Sequence, residues 1–148
     1  MNVLIVYYSL GGNTEAGARA VREGIENVEG VTATMKAGPE ATLDDLLGCD
    51  GIVIGSPDYF DYMAGGLKDF FDRTVFPSKG KVTGKPYFAF LTHGGGGAGI
   101  KSIEKIAGAF GFRKTMDPVL FERKPDTAVI ARLRQAGAEF ARILTREC

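Results

Sequence analysis

The sequence has no tryptophan, a single histidine and only two cysteines in its 148 residues. The two thiols, Cys49 and Cys148, are far apart and lack the spacing of a metal site. The histidine, His93, has no second histidine with which to share a metal ion. We therefore expect no bound metal, and cysteines that remain free thiols in a reducing compartment.

An excess of charge of one sign is missing as well. Lysine plus arginine and aspartate plus glutamate number 18 each, so the formal net charge is zero. The chain therefore lacks the basic excess that nucleic acids and anionic membranes attract. It also has no basic segment with a cleavage site at its start, and no apolar run long enough to span a membrane. These absences predict a cytoplasmic protein that binds neither nucleic acid nor membrane.

The composition is that of an ordinary folded domain. Apolar residues make up 45% of the chain and charged residues 24%. No linker, repeat or change of composition divides residues 1–148, so we expect a single domain. Glycine, in contrast, occurs 21 times and clusters at turns, where it allows the backbone to approach a ligand closely.

Apolar, β-prone runs alternate with segments that carry apolar residues at helical spacing. Strands are predicted over residues 3–8, 31–35, 51–55, 86–92 and 119–121, and helices over 16–28, 43–47, 64–74, 100–110 and 127–144. Ser56 and Pro57 are expected to end the third strand, and Pro118 to interrupt the fifth. The alternation predicts an α/β protein with a doubly wound, five-stranded parallel sheet and helices on both faces.

Three unusual turns follow predicted strands. They are residues 9–14 (the first turn), 57–63 (the second turn) and 92–99 (the third turn). The carboxyl ends of parallel strands lie at one edge of a sheet, and ligands of doubly wound sheets bind outside that edge. We therefore expect the three turns to form one site.

The first turn reads Ser9-Leu10-Gly11-Gly12-Asn13-Thr14 and leads into a helix. The N–H groups at a helix start attract phosphate, and the hydroxyl and amide side chains add neutral donors. The turn has no Lys or Arg and no nucleophilic Cys, so it is predicted to bind a phosphate and not to cleave one. The alternative is that these side chains only cap the helix.

The second turn contains an aromatic cluster within a polar loop, comprising Pro57, Asp58, Tyr59, Phe60 and Tyr62. Exposed aromatic rings favour stacking on a flat ligand, although they could instead cover the sheet edge as peripheral core. The carboxylates of Asp58 and Asp61 are more typical of a solvated rim than of an acid–base pair.

The third turn begins Thr92-His93-Gly94-Gly95-Gly96-Gly97. It matches the dinucleotide-binding fingerprint literally but follows the wrong strand, and its likeness to a Walker A loop fails by one inserted residue before Lys101. The glycines instead predict a backbone that closely approaches a planar ligand. His93 either contacts that ligand or merely packs, and both interpretations stay open.

A phosphate turn, an aromatic loop and a glycine loop at one edge suit flavin mononucleotide (FMN). The first turn resembles the Ser/Thr-x-x-Gly-Asn-Thr loop of the flavodoxin superfamily, and the other two turns resemble those of its FMN and quinone reductases. The resemblance implies a flavodoxin-like fold with strand order 2-1-3-4-5 and FMN as cofactor. It places cofactor binding at Ser9, Leu10, Gly11, Gly12, Asn13, Thr14, Pro57, Asp58, Tyr59, Phe60, Tyr62, Thr92, His93, Gly94, Gly95 and Gly96.

Two departures from the superfamily's electron carriers affect the expected properties. Gly11 stands where those carriers usually have a hydroxyl residue, which predicts weaker phosphate binding by up to about tenfold to a hundredfold. Those carriers are also strongly acidic, which serves docking to basic redox partners, whereas this chain is neutral overall. Separately, the loops near the ring supply Asp58 and Asp61 but no Lys or Arg, which predicts poor stabilisation of an anionic reduced flavin and a low potential.

The resemblance leaves three functions open. The first is an FMN protein that carries electrons between redox partner proteins, favoured by the short segment before the fourth helix. The second is an NAD(P)H-dependent quinone reductase in which His93 places a proton near the ring, favoured by the second turn and the neutral charge. The third is an interaction module without cofactor. Whether the chain is an enzyme, its nicotinamide preference and its oligomeric state stay open.

Overall fold

The computed structural model describes all residues, 1–148, and shows strands alternating with helices. The run from Val3 to Val6 is fully buried, as expected of an apolar strand covered on both faces. The elements are β1 (Asn2–Tyr7), α1 (Asn13–Glu26), β2 (Thr32–Ala37), α2 (Leu43–Gly48), β3 (Gly51–Tyr59), β4 (Tyr62–Met63), α3 (Gly65–Ser78), β5 (Pro86–His93), α4 (Ile100–Phe110), β6 (Arg113–Lys114), β7 (Val119–Glu122) and α5 (Thr127–Arg146).

The sheet confirms the predicted α/β class. Its main strands are parallel and run in the order β2-β1-β3-β5, and β6 and β7 both pair with β5. The numbering differs from the predicted 2-1-3-4-5 for two reasons. The short β4 is an additional antiparallel strand on β3, and the fifth strand is divided into β6 and β7. The residues between β6 and β7 include Pro118, which has no N–H for a ladder.

The prediction that Ser56 and Pro57 end the third strand is wrong. β3 continues to Tyr59 because Ser56 and Pro57 still pair in register with Leu91 and Thr92 of β5. The chain then reverses through Phe60 and Asp61 into β4, forming a short hairpin. Most of the second turn is therefore a strand pair and not an irregular loop.

Two hydrophobic layers cover the sheet. One face packs on α2, α3 and α4, with Leu46, Phe70 and Ile103 among its fully buried side chains. The other packs on α1 and α5, with Val21 and Phe140 in its centre. Both faces are buried because successive strand residues point in opposite directions and are apolar on either side. None of the five helices combines the length and apolar composition needed to cross a bilayer.

Helices α1 and α5 approach each other at two glycines. A Cβ on Gly24 of α1 would overlap the carbonyl oxygen of Arg134, and a Cβ on Gly137 of α5 would overlap that of Val21. The obstacle is backbone in both cases, so it cannot move aside as a side chain can. This close crossing fixes α1, which begins in the first turn, against α5.

Candidate functional site

The three turns meet at the carboxyl edge of the sheet, as their positions after β1, β3 and β5 require. They enclose an open cleft of about 310 Å³. A fourth segment, directly after β7, also reaches it. The cleft is lined by Ser9, Leu10, Gly11, Asn13, Thr14, Pro57, Asp58, Tyr59, Thr92, His93, Gly94 and Arg123.

The first turn is closed by the hydroxyl of Ser9. Its Oγ accepts hydrogen bonds from the N–H of Gly12 at 3.1 Å and from that of Glu15 at 3.2 Å. Gly12 has φ 98°, a left-handed conformation that glycine adopts at no steric cost, and α1 starts at the next residue. Because both bonds use Ser9 as acceptor, its own hydroxyl hydrogen remains free to donate into the cleft.

Asn13 and Thr14 do not cap the helix. α1 begins at Asn13, three residues before the predicted start, and no side chain of the turn except Ser9 bonds to its first N–H groups. The backbone N–H groups of Asn13 and Thr14 have no acceptor within the chain, as expected for the first turn of a helix. Thr14 is 2% exposed and lines the cleft. The capping alternative therefore holds for Ser9 but not for Asn13 and Thr14.

One phenol lies just before this turn. Burial, and next the carboxylate of Glu15, raise the pKa of Tyr7 above its ordinary value. Tyr7 is therefore a neutral hydroxyl at physiological pH, consistent with a first turn built from neutral groups.

The second turn splits its aromatic residues between the cleft and solvent. Tyr59 lines the cleft, whereas Phe60 is fully exposed at the tip of the hairpin and Tyr62 is 43% exposed on its return strand. Phe60 and Asp61 both have positive φ, 58° and 59°. The aromatic cluster is thus not peripheral core, and Phe60 and Tyr62 lie outside the cleft lining.

Asp58 ties the second turn to the third. Its Oδ2 accepts a hydrogen bond from the N–H of Gly99 at 3.0 Å. Close by, Ser102 at the start of α4 accepts from the N–H of Met63 at 3.0 Å and donates to the carbonyl of Gly99 at 2.7 Å. Asp58 is therefore more than the solvated rim residue expected from the sequence.

We expect Asp58→Ala to lower the free energy of unfolding by about 1–2 kcal/mol, because the buried N–H of Gly99 loses an acceptor. Asp58→Asn keeps a side-chain oxygen at the same place and should lose clearly less. Urea unfolding of the two variants measures the difference. Equal losses for Asn and Ala would show that the carboxylate does not act through Gly99.

The third turn contains three exposed glycines, Gly94 to Gly96, and the buried Gly97 beside a half-buried histidine. Gly95, Gly96 and Gly97 have φ values of 148°, 114° and 72°, which side chains rarely tolerate. The His93 ring lies against Gly97, and its Nδ1 is the one buried side-chain polar atom that lacks a hydrogen-bond partner. Such an atom is costly unless a ligand or water completes its bonding.

The structure brings most of the predicted site residues together, but leaves some outside. Besides Phe60 and Tyr62, the glycines Gly12, Gly95 and Gly96 do not line the cleft. For these residues, as for those in the lining, cofactor binding remains a prediction.

Arg123 is the residue that the sequence interpretation missed. It follows β7, lines the cleft, and its guanidinium lies 3.4 Å from the carbonyl of Gly94. The second and third turns contain no Lys or Arg, as expected, but this fourth segment brings one cation to the cleft. The Glu122-Arg123-Lys124 run resembles ordinary solvated surface, and only the pairing of Glu122 with His93 reveals that it reaches the same edge.

Comparison with known proteins gives a family match over most of the chain. The sequence model of the family described as NADPH-dependent FMN reductase matches residues 1–118. That range includes all three turns and ends just before β7.

Individual relatives carry two kinds of name. A protein named NAD(P)H dehydrogenase (quinone) from Solidesulfovibrio magneticus is 37% identical over 64% of this chain and 61% of its own length. A flavodoxin from Aquifex aeolicus is also 37% identical, over 66% of this chain and 52% of its own length. The chain thus spans between half and two thirds of the length of these curated relatives.

A solved flavodoxin from the domain Archaea matches the whole fold. It superposes with a TM-score of 0.88 and 29% sequence identity, covering 98% of this chain and 99% of its own. The likeness includes the carboxyl edge of the sheet, where the cleft lies.

Proposed function

The chain belongs to the NADPH-dependent FMN reductase family within the flavodoxin superfamily, and from that membership we propose that it is an FMN-binding redox protein that carries electrons through its flavin. One observation carries the proposal. Three turns from separate strands converge on a single cleft, where the first turn presents the N–H groups of Asn13 and Thr14 without acceptors in the chain.

The phosphate end of FMN fits the first turn. The N–H groups of Asn13 and Thr14, their side chains and the free hydrogen of Ser9 all belong to residues that line the cleft. These donors lie at the N-terminus of α1, where the helix dipole favours an anion. Together they would hold the phosphate without a charged residue in the turn.

The ring end fits the second and third turns. Tyr59 and Pro57 offer flat apolar surface, and Gly94 of the third turn offers backbone with no Cβ to obstruct a planar ligand. His93 lines this end of the cleft and would lie beside the ring. Bound FMN would supply the transfer of one or two electrons, which no side chain of this cleft supplies.

The chain's own residues would control access and geometry. The Asp58–Gly99 and Ser102–Met63 hydrogen bonds hold the second and third turns at a fixed separation. Nothing covers the open side of the cleft, since Phe60 points to solvent. The flavin edge would therefore remain accessible to a partner protein or a small electron acceptor.

A second candidate function is an NAD(P)H-dependent quinone reductase. It is supported by the family's description and by the relatives named NAD(P)H dehydrogenase (quinone). In this alternative, NAD(P)H is the electron donor, a quinone is the acceptor, and His93 holds a proton near the ring.

One series of measurements tests the proposal and separates the two functions. We expect the full chain to bind added FMN stoichiometrically and show a flavin absorbance spectrum. Stepwise anaerobic reduction by dithionite should then proceed in two separate one-electron steps for a carrier. Failure to take up FMN would overturn the proposal and leave the interaction module.

The reductase alternative is measured on the same sample. Rapid bleaching of bound FMN by NADPH or NADH, with multiple turnovers on a benzoquinone, would establish it in place of the carrier. Slow bleaching by both nicotinamides, without turnover, would support the carrier. Free FMN at the same concentration is the control for reduction that needs no protein.

A further inference from the structure

The backbone of Arg123 is hydrogen-bonded to the last two residues of β5. Its N–H donates to the carbonyl of His93 at 2.8 Å, and its carbonyl accepts from the Thr92 hydroxyl at 2.6 Å. It has a φ of 53°, a left-handed conformation that is unusual for a residue with a long side chain. An arginine in a backbone conformation that favours glycine therefore lines the cleft, and its backbone hydrogen bonds fix it there.

The first turn of α1 and Arg123 line the same cleft. A Cβ built on Gly17 of α1 would be 3.4 Å from the tip of the Phe121 ring, so this side chain of β7 packs beneath the helix there. Asn13 precedes Gly17 by four residues and so lies about 6 Å closer to the carboxyl edge of the sheet. Arg123 follows Phe121 by two residues and so lies about 7 Å closer to the same edge. Asn13 and Arg123 therefore lie at a similar height along the strand direction, and both line the cleft.

The charges of the cleft leave Arg123 without a strong partner. Asp58, the other charged residue of the lining, is bonded to the N–H of Gly99. Arg123 pairs with Glu122 at 3.2 Å, but the two side chains are 72% and 57% exposed. An exposed pair of this kind contributes little stability, so the guanidinium can exchange it for a better partner.

We propose that Arg123 binds the phosphate of FMN together with the first turn, and so makes the protein prefer FMN over riboflavin. The inference rests on the proposed FMN binding. A guanidinium and the N-terminus of α1 are both positive, and a phosphate between them satisfies both. Arg123 thereby compensates for the hydroxyl that is missing at Gly11.

The test compares Arg123→Gln with a matched control, Lys124→Gln. Lys124 is the exposed neighbour, does not line the cleft and loses the same charge. Titration of the flavin-free chain with oxidised FMN and with riboflavin, followed by flavin fluorescence, gives both affinities. We expect Arg123→Gln to weaken FMN about 10- to 100-fold, with riboflavin and the Lys124→Gln variant nearly unchanged.

A second variant excludes a folding defect. Arg123→Gly suits the positive φ and should keep the thermal stability of the parent, yet lose FMN preference to the same extent. Equal weakening of FMN and riboflavin in Arg123→Gln would overturn the inference, because the residue would then act on the ring or on the fold. Unchanged FMN affinity would overturn it too. A parent chain that binds no FMN would instead refute the proposed function itself.

Discussion

Gly137→Ala is expected to lower the free energy of unfolding by about 2–3 kcal/mol, the upper part of the range for overpacking a well-packed interior. The added Cβ would overlap the carbonyl oxygen of Val21 in α1. Relief requires α1 and α5 to separate, which loosens the packing around Val21 and Phe140. For a chain of this size, each kcal/mol corresponds to roughly 2–4 °C of melting temperature.

Gly108→Ala is the matched control. Gly108 lies in α4, and a Cβ there would meet nothing within 4 Å. The same substitution should therefore raise stability by about 0.5–1 kcal/mol, since alanine is the better helix former. Thermal unfolding of both variants gives the comparison. If Gly137→Ala were as stable as Gly108→Ala, α1 and α5 would not cross in contact at these glycines.

The sequence could not predict this crossing, although it predicted both helices. Gly24 and Gly137 lie within amphipathic segments, where an isolated glycine indicates only a weaker helix. Their role depends on which helices share a face of the sheet. The order of the strands and the hand of the connections decide this, and in the structure α1 and α5 cover the same face.

The position of the site could be predicted from the sequence, whereas the end of β3 and one lining residue could not. Alternating strands and helices place the three turns at one edge, and the structure brings them around one cleft. The extension of β3 to Tyr59 was missed because serine and proline usually end a strand, whereas here a neighbouring strand continues the pairing. Arg123 was missed because its backbone conformation and its pairing with the end of β5 leave no sequence pattern.

The largest effect on ligand binding is expected from the double variant Asn13→Ala/Thr14→Val. Both residues line the cleft at the start of α1, and neither side chain is used by the protein itself. A hydrogen bond to a charged group contributes about 1.5–3 kcal/mol, so FMN affinity should fall roughly 100-fold or more. Riboflavin, which lacks the phosphate, should bind as before. Fluorescence titration with both flavins measures the two changes.

Two controls isolate the phosphate contact. Asn27→Ala removes an asparagine side chain at the other end of α1, away from the cleft, and should leave both affinities unchanged. The variant Asn13→Ala/Thr14→Ser has a hydroxyl at position 14 again, and it should recover part of the FMN affinity that the double variant loses. Parallel losses of FMN and riboflavin would mean that Asn13 and Thr14 only shape the helix start. A selective loss of FMN would place the phosphate at the neutral donors of the first turn.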